Sequence, residues 1–118
     1  MRICIDIDGT ICSLKEEGQV YRHLSPLQGA ALKIKSLRAQ GCYIIFCTAR
    51  HMKTCNSNIG MVIAREGQSL IEWLKEHEFE YDELWFGKPY AHVYIDDKAL
   101  QFKGSWDEID TSLIQEYL

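Results

Sequence analysis

RICIDIDGT, residues 2–10, reads as a buried strand that stops on a turn. Ile3, Cys4, Ile5 and Ile7 form a short apolar run rich in β-branched side chains, the composition of a strand covered by other structure. Asp8-Gly9 is a turn signal that ends it. A second run of the same kind, CYIIFC at 42–47, ends at Thr48, and shorter third and fourth strands are expected at 84–86 and 92–95.

The stretches between these strands carry helical periodicity. Ser25 suits an N-cap, Pro26 the first helical position, and Gln28 completes a capping box. The helix predicted there turns Leu27, Ala30, Ala31, Ile34 and Leu37 inward, and Gly41 stops it. Residues 54–65 give no clear pattern. A second helix is predicted from 67 to 77, with Leu70, Ile71 and Leu74 inward, and a weakly patterned one from Ser105 onward. The polar stretch 15–24 reads as a loop or small flap. Strands alternating with helices predict an α/β fold: a three-layer, Rossmann-like unit with a mainly parallel sheet and helices on both faces. Ligands of such sheets bind beyond the carboxyl ends of the strands.

Bulk properties narrow the function classes. A chain of 118 residues fits one domain. Net charge is −4 and the sequence pI is about 5.5, which argues against a nucleic-acid binder with a basic face. No apolar run approaches the ~20 residues of a membrane helix, and Asp6 and Asp8 interrupt the apolar start, so it does not read as a signal peptide. The five cysteines are odd in number and form no CxxC pair. They read as reduced thiols of a cytoplasmic protein, neither a disulfide framework nor a zinc site.

The polar residues at the expected strand ends carry the chemistry. Asp6 and Asp8 end the first strand, Thr48 the second, Lys88 follows the third in Gly87-Lys88-Pro89, and Asp96 and Asp97 end the fourth. Four carboxylates at one edge repel each other unless a hard cation sits among them, and magnesium suits oxygen ligands. Lys88 and Thr48 suit the oxygens of a phosphate. Arg50, His51 and Lys53 follow Thr48 and are expected at the rim, where they would grip a second anionic group. Trp73, Trp85 and Trp106 read as packing residues.

In DIDGT at 6–10, Thr48, Lys88 and YIDD at 94–97, the chain resembles the haloacid dehalogenase (HAD) superfamily of phosphatases, with the four motifs in that family's order. TARHMKT at 48–54 and FGKP at 86–89 are further similar to small bacterial members often found with polysaccharide or capsule biosynthesis. The resemblance implies a magnesium-dependent phosphatase. Asp6 would attack phosphorus and form an aspartyl-phosphate. Asp8 would protonate the leaving alcohol and then deprotonate the attacking water. Thr48 would bond a phosphoryl oxygen, and Lys88 would neutralise charge on Asp6 and the transferring group. Asp6, the Asp8 carbonyl, Asp96 and Asp97 would hold Mg2+. Gly9, Thr10, Ala49, Arg50 and Lys53 are the substrate-binding candidates, with backbone N–H groups of the 7–10 turn cradling phosphate.

Neither the 13–24 loop nor the short gap after Lys88 holds a lid domain, so the resemblance implies a capless, open site. Such sites act on bulky substrates or are closed by a neighbouring subunit, and a homo-oligomer is expected. The leading substrate class is a small phosphate monoester such as a sugar phosphate. The alternatives are a phosphatase for a polynucleotide or protein, and a non-catalytic phospho-accepting or phosphate-binding domain. A receiver of the response-regulator type is disfavoured because no aspartate ends the second strand, where Thr48 stands.

Overall fold

A computed structural model describes all residues 1–118. Three strands form one sheet: β1 (Arg2–Asp6), β2 (Tyr43–Thr48) and β3 (Glu83–Phe86), in the order β1-β2-β3 and all parallel. The helices are α1 (Ala30–Ala39), α2 (Ile59–Glu76) and a short α3 (Thr111–Gln115); single 3-10 turns stand at Tyr21–His23 and Trp106–Glu108. The architecture is thus α/β with a parallel sheet, as the alternation of strand and helix implies. No helix is long and apolar enough to cross a membrane.

Register fixes the site edge. Asp6 pairs with Cys47 and Thr48 with Phe86, so all three strands run out at one level. The Lys88 N–H donates to the Thr48 carbonyl at 3.1 Å, which carries the β3 chain one step past its strand alongside β2. The loops that follow the strands, with Asp8, Arg50 and Lys88, therefore leave from one edge.

The sheet is covered on one face. Ile5, Ile44 and Phe46 alternate inward and pack in a single core with Ala30, Ile34 and Leu37 of α1 and Leu70, Trp73 and Leu74 of α2. Cys4 and Trp85 alternate the other way and are exposed. The second helical layer expected on that face is missing. Right-handed crossovers that step from β1 to β2 to β3 in one direction put both connecting helices on the same side. Trp85 accordingly does not pack as a core residue: its Nε1 donates to Glu83 Oε1 at 2.7 Å on the open face.

Four sequence expectations are corrected. The first helix begins at Ala30, not at Ser25-Pro26. Residues 25–27 are extended instead, with Pro26 bridging Cys12 and the Leu27 N–H donating to the Ile11 carbonyl at 2.8 Å. Its inward face and its stop at Gly41 are as expected. The second helix begins eight residues earlier than Gly67, where Asn58 Oδ1 caps the Met61 N–H at 3.2 Å. Ile71 faces outward on it. The fourth strand at 92–95 does not form, and Ile95 is 96% exposed. The Tyr94 hydroxyl bonds the Pro89 carbonyl and its ring lies 4.3 Å from Lys88 Nζ, so this segment folds back as a loop over Lys88 rather than along β1.

Gly87 shapes the turn that delivers Lys88. Its φ is +93°, and an added Cβ would come within 2.8 Å of Ile59 Cδ1. Ile59 has room to rotate, but the left-handed backbone cost stays, at roughly 1–2 kcal/mol. Gly87→Ala is expected to lower the melting temperature by several degrees, read by circular dichroism.

Candidate active site

Two ion pairs organise the carboxyl edge. Asp6, at the end of β1, faces Lys88 with Oδ1 3.3 Å from Nζ; both side chains are half-exposed. Two residues on, the carboxylate of Asp8 is gripped by Arg50. Nε lies 3.1 and 3.0 Å from its two oxygens, and Nη2 lies 3.0 Å from Oδ1. This fork geometry is the one in which a guanidinium binds a carboxylate most specifically. A lysine-bound carboxylate stands open beside an arginine-bound one, and their sequence offset places both at the strand exit.

Arg50 was expected at the rim but is buried, its side chain 1% exposed. Its own backbone N–H donates to Thr48 Oγ1 at 3.0 Å, which orients the chain as it leaves β2. Its guanidinium stacks on Tyr21, 4.4 Å from the ring centre, and reaches Glu66 Oε2 with Nη1 at 3.8 Å. Burial alone would lower the pKa of Arg50, but the bonds and charge of Asp8 outweigh it and raise that pKa. On the far side, His51 Nε2 lies 3.2 Å from Glu66 Oε1, and His51 packs edge-on against Tyr21. Cys12 Sγ lies 3.7 Å from Arg50 Nη2 and 3.5 Å from Asp8 Oδ1, so Tyr21, Cys12 and Glu66 are site residues that sequence reasoning missed. Glu66 lies in the unpatterned 54–65 region's continuation, and only a buried glutamate on an otherwise apolar helix face would have signalled it.

The other candidates are placed as follows. Thr48 is fully buried, and its hydroxyl oxygen takes the Arg50 N–H rather than lining open space. Gly9 has φ +80°. The Gly9 N–H donates to the Cys12 carbonyl at 2.9 Å and the Thr10 N–H to the Ile7 carbonyl at 3.1 Å, so the expected phosphate cradle spends these donors closing its own turn. The Ala49 carbonyl accepts the Met52 N–H at 3.0 Å. Lys53 is exposed, 5.5 Å from the Tyr90 ring, beside a separate shallow cavity bounded by Met52, Ile59 and Pro89.

The four carboxylates do not converge. Asp6 faces Lys88, Asp8 faces Arg50, and Asp96 Oδ1 takes the N–H of Lys98 in the exposed loop that replaces the fourth strand. Nowhere do three or more Asp, Glu, His or Cys side chains gather as metal ligands. Mg2+ is commonly held by one or two carboxylates, with waters and substrate phosphate filling the rest of its shell. Asp6 and the Asp8 carbonyl are the groups that would hold it at this edge, and no step below is routed through the ion.

The edge also sorts the cysteines. The neighbouring Cys47 thiol, and after it the charge of Lys88, lower the pKa of Cys4 to about 7. Burial pushes Cys12 up to about 12, helped by the negative charge of Asp8. Thiolates are the reactive form. Iodoacetamide at pH 8 is therefore expected to modify Cys4 first and to leave Cys12 untouched until the protein unfolds, as read by peptide mass spectrometry.

Neither a family model nor a curated relative matches the chain. The fold is similar to the crystal structure of a structural-genomics target from Vibrio cholerae. The two share 27% identity and a TM-score of 0.86, over 98% of this chain and 94% of that one. The likeness therefore includes the carboxyl edge and the loops around it, not the sheet alone.

Proposed function

We propose that the protein is a phosphoric monoester hydrolase that works through an aspartyl-phosphate on Asp6, with a small sugar phosphate as the leading substrate class. The observation that carries this reading is the pair of carboxylates at the exit of β1, one half-exposed beside Lys88 and one forked by Arg50. In the first half-reaction an Asp6 oxygen attacks phosphorus and the P–O bond to the alcohol breaks. Lys88 Nζ offsets the charge gathered on the attacking and phosphoryl oxygens. The departing alkoxide takes the proton of the Asp8 carboxylic acid. In the second, water attacks the same phosphorus and the Asp6–O–P link breaks. The Asp8 carboxylate takes the water's proton, which restores both groups.

Arg50 has a defined part in this cycle: it holds the Asp8 carboxylate in one orientation, so the base step starts from a prepared geometry. Thr48 acts one step back, by fixing the Arg50 backbone. The accompanying fold reading is a capless unit of the HAD type, for which the parallel sheet and one helical layer are the support.

The test is phosphate release from p-nitrophenyl phosphate and a panel of sugar phosphates, each run with magnesium and with EDTA. The reading expects sustained turnover of at least one ester, with more phosphate released than protein present. A single phosphoryl group retained per chain, without turnover, would instead favour a phospho-accepting domain.

A further inference from the structure

We infer that the cavity behind Arg50 is a binding pocket for a hydroxylated organic anion, such as a sugar acid. It has a volume of about 460 Å³ and lies among Lys15, Tyr21, Arg22, His51, Arg65 and Glu66, within the range of small-molecule sites. Only two of its ten lining residues are hydrophobic, so the ligand it suits is polar.

Two features define the ligand's chemistry. The first is unmatched positive charge in a chain whose net charge is −4. Arg22 is paired with Glu76. Lys15 and Arg65 have no carboxylate within 4.0 Å. The second is the neutral polar lining. Gln19, Thr54 and Ser69 stand around the cavity beside His51, and their amide and hydroxyl groups suit the hydroxyls of a ligand. Glu66 Oε2 is not free for this role, because it is buried against Arg50 Nη1 at 3.8 Å. Cations for an acid group and hydrogen-bonding groups for hydroxyls thus meet in one concavity.

The position ties the pocket to the reaction. Arg50 touches Asp8 with one side of its guanidinium and Glu66 with the other, and Tyr21 lines the pocket while stacking on Arg50. The pocket is therefore one guanidinium away from the carboxylate that would protonate the departing alcohol. Resting on the phosphatase reading, the bound anion is the leaving-group end of the substrate. The pocket's own binding does not need that reading.

The experiment separates the two. Isothermal titration calorimetry compares D-glucuronate with glucose, which lacks the acid, and with cyclohexanecarboxylate, which lacks the hydroxyls. Glucuronate is expected to bind saturably and at least tenfold more tightly than either. The exposed Lys15 and Arg65 are changed together to alanine, which is expected to weaken glucuronate at least tenfold. Asp6→Asn protein is expected to bind it as the wild type does. No saturable heat with glucuronate, equal binding of all three probes, or an unaffected double variant would overturn the pocket. If glucuronate binds as stated while no ester is hydrolysed, the pocket stands and the phosphatase reading falls.

Discussion

Asp6→Asn protein is expected to fold as the wild type does and to lose phosphate release by a factor on the order of 10⁴ or more. Asp6 is only partly buried, and its single ion pair is with Lys88, which is itself partly exposed, so the amide leaves no buried charge behind. An amide cannot take the phosphoryl group as a carboxylate does, and removing the nucleophile of a covalent mechanism costs about as much as removing the whole catalytic set. Lys88→Ala is expected to fall short of that loss, because it removes charge stabilisation but leaves the bond-forming atom. Initial rates on the best ester, beside the melting temperature of each variant, check this order. An Asp6→Asn protein that keeps wild-type turnover would exclude Asp6 as nucleophile.

The largest stability effect is expected at Arg50. Truncation to alanine strands the Asp8 carboxylate and leaves buried Glu66 facing only His51. Breaking a buried ion pair by removing one partner costs about 3–5 kcal/mol, and Tyr21 loses its stacked cation as well. Arg50→Ala is thus expected to melt roughly 10–20 °C lower or to fail to accumulate as folded protein. Arg50→Lys separates charge from geometry. A lysine keeps the positive charge but has no planar fork to hold both Asp8 oxygens. It is expected to recover most of the stability while turnover stays down by a factor on the order of 10–100. Recovery of both together would reduce Arg50 to a structural ion.

The elements legible in sequence were those decided by local pattern. Three apolar runs with turn signals behind them became β1, β2 and β3, and the DG and GKP turns mark the site edge where Asp6, Asp8 and Lys88 stand. The illegible parts were decided by distant partners. Ser25-Pro26 carries a good capping pattern, but pairing with Cys12 and Ile11 keeps that segment extended. Gly60 and Gly67 lower helix propensity inside α2, yet Val62, Leu70, Trp73 and Leu74 bury one face and override it. The 92–95 run looks like a strand by composition, but Tyr94 turns it back onto Lys88. That contact removes Asp96 and Asp97 from the predicted set of metal ligands. Arg50 reads as a rim cation in any local window; its partner Asp8 is 42 positions away, and its second carboxylate, Glu66, sits on another helix.

The most direct measurement is a rapid-quench reaction of Asp8→Asn protein with p-nitrophenyl phosphate, whose phenolate leaves without a proton from Asp8, followed by tryptic peptide mass spectrometry. Without the Asp8 carboxylate the water step is slow, so the account predicts one phosphoryl group accumulating on Asp6, in the peptide that begins at Ile3. Phosphate on any other residue, or turnover by wild-type protein in which no phosphorylated Asp6 ever forms, would contradict it.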